Sequence, residues 1–174
     1  MEPVDISIFD FELTPFWTFL SIVGLLVISA FFSGSETALT GASKAILRTM
    51  SDKGSKGAAK ALRLRAENEK LIGSLLLGNN LVNILAASLA TSFLTKYFQD
   101  GGVVMATITM TLLVLIFSEV LPKTYAITNP EFTASKVSKL VNFFVILFSP
   151  FVTAIRKIVQ IILWIFGINI DPNQ

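Results

Sequence analysis

Three short stretches place oxygen-bearing side chains in otherwise apolar sequence: Ser33-Gly34-Ser35-Glu36, then GNNLVN at 78–83, then SEVLPKT at 118–124. Asn79 and Asn83 are four residues apart, so they share one face of a helix. Pro122 has no N–H, which deprives the carbonyl of Ser118 of its helical donor. In a hydrocarbon setting that carbonyl must find another partner, and it lies beside Glu119. Gly34 allows a similar loosening of the first stretch. A hydroxyl, two amide oxygens, one carboxylate and a freed carbonyl form the donor set of a hard cation. Blander roles exist for each. Asparagines hydrogen-bond across membrane helix interfaces, Glu119 can pair with Lys123 one turn on, and Glu36 is expected at the aqueous boundary.

The chain has neither cysteine nor histidine. That argues against zinc, haem and iron–sulfur chemistry, which favour those ligands. Serine–histidine and cysteine–histidine nucleophiles are excluded. One buried glutamate offers no nucleophile–base pair, so an enzyme is the weakest reading.

The elements that must position these groups are membrane helices. The 174 residues are 53% hydrophobic with a mean hydropathy of +0.70. Leu13 to Ser35, Leu71 to Thr95 and Gly101 to Ser118 carry no charge, and about 20 apolar residues cross a bilayer core of roughly 30 Å. The expected fold is an all-α integral membrane protein with three transmembrane helices. The N-terminal MEPVDISIFDFELTPF has four acids and no base, unlike a cleavable signal peptide, so the first span is expected to be retained.

Eight of the fourteen basic residues fall at 44–70, opposed by Asp52, Glu67 and Glu69. The positive-inside rule then places this loop and the C-terminus in the cytoplasm and the N-terminus outside. The loop reads as a solvated helix near anionic headgroups; without interleaved aromatics it gives no sign of nucleic-acid binding. The region 140–169 is apolar, but Pro150 breaks it and Arg156 and Lys157 sit in its middle. Charges at the bilayer centre cost about 2.5–3.5 kcal/mol each. A pair of shorter helices at the inner interface, one anchored by Trp164, avoids that cost. The chain thus divides into a three-span core at 1–139 and interfacial helices with a polar DPNQ tail at 140–174.

Helices of opposite direction bring the three polar clusters to one level, in or near the cytoplasmic half. The segments FFSGSETALT, GNNLVNI and SEVLPKT, in that order and spacing, resemble the membrane motifs of the CorC/CNNM (cyclin M) family of Mg²⁺ transporters. The resemblance implies a homodimer with three membrane helices per subunit and a juxtamembrane helical belt on the cytoplasmic side. It implies sodium-dependent Mg²⁺ export across the plasma (inner) membrane, with Na⁺ as the coupling ion. By motif position, Ser33, Asn79, Asn83 and Glu119 are the expected Mg²⁺ ligands. Ser118 stands where the family motif usually has glycine and joins the candidate set through its carbonyl or hydroxyl. The family continues into a nucleotide-binding CBS pair and a further domain, so a membrane domain or a short relative is expected here. Two other readings fit the same residues: a cation-sensing membrane anchor without flux, and a sodium-coupled carrier of another substrate.

Overall fold

The structure, a computed structural model, describes residues 15–166. The acidic stretch before Pro15, the DPNQ tail and the Trp164 side chain lie outside the described part. Every regular element within it is helical.

Helix α1 (Pro15–Gly41) is long because nothing in its uncharged run interrupts it. Two short helices follow, α2 (Lys44–Asp52) and α3 (Lys56–Ala66). The turn between them uses Gly54 at φ 95°, and Ser55 caps α3 by accepting from the Ala58 N–H at 3.2 Å; a serine at that position satisfies one of the four unpaired N–H groups of a helix start. Helix α4 (Asn68–Phe98) runs back antiparallel to α1, and the ring of Phe32 lies over Gly78. A hairpin at Gln99 leads into α5 (Asp100–Leu113), then a π-helical segment (Val114–Val120), then α6 (Leu121–Thr128). These last three form one long rod. Finally α7 (Pro130–Ile165) packs on α3, α4 and α1.

The core gathers at one end of the bundle, where Phe32, Leu39, Leu47, Leu64, Leu71 and Val141 join α1 to α4, α7 and the short helices. Rings reinforce it: Phe32 and Phe144 meet edge-on with centroids 4.9 Å apart. A second, smaller cluster of Leu26, Ala86, Ala90 and Met110 joins α1, α4 and α5; outside these the bundle is inside out for a soluble protein. Phe19, Val27, Ile84, Ile108 and Phe117 are exposed, and four helices are long and apolar enough to cross a membrane. Leu and Phe side chains facing lipid lose nothing by their exposure, which explains how so few buried residues hold long helices.

The expected pair of helices at 140–169 is not what forms. A single helix runs from Pro130 to Ile165 with Pro150 inside it. Proline removes one N–H and crowds the carbonyl four residues back, at a cost of about 3 kcal/mol. Packing on both sides offsets that cost. Phe144 and Phe148 stack before Pro150, Val152 sits against Gly73 after it, and Pro150 itself is exposed.

Candidate cation site

The polar groups of α1 and α4 meet through a residue that sequence reasoning passed over. Ser29, fully buried, lies with its hydroxyl 2.6 Å from Asn79 Oδ1 and 2.7 Å from Asn83 Oδ1. The helical spacing explains the pairing: Asn79 and Asn83 stand one turn apart on α4, and Ser29 faces the gap between them. The signal was present in the sequence. Ser29 precedes Ser33 by four residues, the same one-turn spacing as the two asparagines.

This arrangement holds an excess of acceptors. A hydroxyl has one proton to donate, so it can serve only one of the two amide oxygens fully. The other amide must turn its NH₂ group inward or meet a positive charge. Ser33, the expected α1 ligand, is fully buried and its hydroxyl has no partner among the described residues. Such a group costs about 1–3 kcal/mol unless something completes it.

The third rod contributes through its irregular segment. Val114–Val120 is wound as a π-helix, the wider turn that recurs at functional sites. Its origin is local: Pro122 sits at the start of α6 and cannot donate to the Ser118 carbonyl, so the regular ladder fails there. Two ties to α1 hold the segment on either side of Glu119. The Ser118 hydroxyl donates to the Leu26 carbonyl at 3.1 Å, and a Cβ built on Gly34 would stand 3.4 Å from the Pro122 ring and carbonyl. Ser118 is therefore held to α1 by its hydroxyl proton, and its carbonyl and the hydroxyl's lone pairs remain for a ligand. Gly34 does not loosen α1 as expected. The helix is continuous through it, and its missing side chain serves close approach to Pro122.

Glu119 is half-buried and makes no ion pair or hydrogen bond among the described residues, with Lys123 or any other. It shares a groove of about 480 Å³ with Asn83. The rest of its lining is apolar side chains, among them Ile84, Met110 and Val114, and the threonines Thr91, Thr107 and Thr111. All three threonine hydroxyls donate to their own helices, to the carbonyls of Ala87, Val103 and Thr107, so they offer the groove only lone pairs. The structure thus gathers Asn79, Asn83 and the unforeseen Ser29, and places Glu119 on the same groove as Asn83. Ser35 is also buried and its hydroxyl has no partner among the described residues, but two residues along a helix from Ser33 it points to another side. No group of three or more acidic, cysteine or histidine side chains occurs among the described residues. Any cation held here would be held by neutral oxygens and one carboxylate.

Comparison with known proteins decides the family. The model of the cyclin M transmembrane N-terminal domain matches residues 20–174. The chain belongs to the cyclin M transmembrane-domain family. It is similar to the UPF0053 inner membrane protein YfjD of Escherichia coli, at 40% identity over 83% of this chain and 34% of that protein. It is also similar to the polyamine export protein of Haemophilus influenzae, at 29% identity over 88% and 39%. A third relative is the metal transporter cnnm-4 of Caenorhabditis elegans, at 30% identity over 82% and 31%. The chain spans about a third of the length of these relatives. With its long apolar helices and this kinship, it is an integral membrane protein.

Proposed function

We propose that this cyclin M domain is the membrane core of a homodimeric Mg²⁺ transporter that exports the ion in exchange for Na⁺. The observation that carries the reading is the convergence of Ser29, Asn79 and Asn83 through their oxygens, with Glu119 on the same groove as Asn83. Mg²⁺ demands near-octahedral oxygen coordination at about 2.0–2.1 Å and gives up water reluctantly. Two amide oxygens, the Ser33 hydroxyl, the Glu119 carboxylate and the Ser118 carbonyl supply such oxygens with a single formal charge. One charge attracts the ion without trapping it, which suits a carrier. The name of the metal transporter cnnm-4 agrees with a metal cargo.

The topology we assign has three spans, α1, α4 and the α5–α6 rod, with the 44–70 stretch and α7 on the cytoplasmic side. The packing of α7 supports it. Glu131, in its first turn, accepts from the Ser43 N–H at 2.9 Å, just past the end of α1. Arg156 pairs with Glu69, in the first turn of α4. The end of α1 and the start of α4 are the same end of an antiparallel pair, yet the two α7 contacts are separated by about 38 Å of helix. A spanning helix of that length would place them on opposite faces. Lying across the inner ends of the spans, α7 keeps Arg156 and Lys157 out of the bilayer centre.

The groove favours one other cargo. A carboxylate, apolar side chains and threonine oxygens on one groove suit a linear aliphatic polyamine, and a relative is named a polyamine export protein. Flux separates the readings. In proteoliposomes carrying the chain, Mg²⁺ movement should follow an opposing Na⁺ gradient and be insensitive to spermidine. Spermidine flux without Mg²⁺ flux would favour the polyamine. Binding of Mg²⁺ with no flux of either would leave a sensor.

A further inference from the structure

At the corner where α3 meets α4, a cleft of about 280 Å³ opens against α7. Arg63, Glu67 and Lys70 form one wall; Asn142 and Ser149 stand on the other, with Val145 and Ile146 between them. Asn142 and Ser149 are seven residues apart, two turns along one helical face. Lys70 is committed to Glu67 at 2.6 Å. The side chains of Arg63, Asn142 and Ser149 have no hydrogen bond or ion pair among the described residues. One guanidinium, one amide and one hydroxyl, all able to donate, therefore line the same space, where the one carboxylate, Glu67, is already paired with Lys70. Their common partner would be a group rich in acceptor oxygens, and guanidinium selects phosphate over neutral acceptors.

The surroundings say which phosphate. The corner directly precedes the uncharged run that begins at Leu71, so it lies where the bilayer's polar headgroups begin. Beside the cleft, Phe143 and Ile146 are 58% and 68% exposed and give an apolar flank for acyl chains. The eight bases of the 44–70 stretch add attraction for an anionic surface. We infer that this cleft is a binding site for the phosphodiester headgroup of an anionic phospholipid, with Arg63 as the phosphate ligand and Asn142 and Ser149 completing its oxygens. Such a lipid would bridge α3 to α7, fixing the belt against the start of α4. The inference stands apart from the identity of the transported ion.

The test uses the whole chain, delipidated in neutral detergent, and measures lipid retention by native mass spectrometry. Phosphatidylglycerol should be retained about fivefold over phosphatidylcholine, the preference expected of one basic side chain at an anionic headgroup. R63Q should lower that preference most and N142A less, whereas R63K keeps most of it. Arg63 and Asn142 are not in the core, and an unchanged elution profile and helical signal identify folded variants. Equal retention of the two lipids overturns the anionic headgroup, and unchanged retention of phosphatidylglycerol in R63Q overturns the site. Displacement of phosphatidylglycerol by millimolar inorganic phosphate overturns the lipid and leaves a free-phosphate site instead.

Discussion

Replacing Glu119 with glutamine keeps the shape of the side chain and removes the one carboxylate that the described residues place on the groove it shares with Asn83. Mg²⁺ should no longer raise the melting temperature of E119Q, although a ligand present at 100 times its Kd stabilises by about 2.7 kcal/mol. The melting temperature without Mg²⁺ should stay level or rise, because the variant no longer holds an uncompensated charge. An unchanged Mg²⁺ response would dismiss the site. Ser29 gives a second test, since its hydroxyl touches both amide oxygens. S29A should weaken Mg²⁺ binding by about tenfold, or 1.4 kcal/mol, as the two asparagines lose the group that orients them. Should Asn79 and Asn83 only join helices, N83A would lower the melting temperature and leave affinity per folded protein intact; titration calorimetry and melting on the same sample tell these apart.

Between residue and bundle stands the π-helical segment at Val114–Val120. Pro122→Ala restores an N–H opposite the Ser118 carbonyl, so the segment can relax toward regular α-helix and turn Glu119 away from the groove. The expected result is a helix as stable as the parent or more so, with Mg²⁺ affinity lowered by about tenfold. Equal affinity would mean that the wide turn is incidental. The contact between α3 and α7 behaves differently. A Cβ on Gly57 would stand 2.2 Å from the Ser135 carbonyl oxygen, and Ser138 donates to the Gly57 carbonyl at 2.9 Å. Gly57→Ala should cost about 1–3 kcal/mol through overpacking, visible as a lower melting temperature, while Mg²⁺ binding to the folded fraction is preserved.

At the scale of the whole molecule, the assigned topology makes the α2–α3 turn cytoplasmic and the α4–α5 hairpin external. In intact cells a cysteine introduced at Ser55 should resist an impermeant thiol reagent, and one at exposed Gln99 should react; the reverse pattern would invert the protein. A reporter joined after Gln174 should read cytoplasmic, and an external readout would make α7 a fourth span. Much of this was legible in the sequence, because transfer into hydrocarbon is a property of composition. Uncharged runs of bilayer length and isolated polar residues identify membrane helices and the residues worth watching before any packing is known, and clustered bases set the orientation to expect. The spacing of Asn79 and Asn83 fixed their common face for the same reason. What surrounds them was decided in three dimensions. Ser29 joins the site only because α1 and α4 pack antiparallel in the register set by Phe32 over Gly78. Local reasoning made Pro150 a helix breaker, yet Phe148 and Val152 hold the flanking turns in one rod. It made Gly34 a hinge, where the fold needed only room for Pro122. A side chain's cost in isolation can be read from its type, but what offsets that cost belongs to neighbours distant in sequence, which only the packed helices bring into contact.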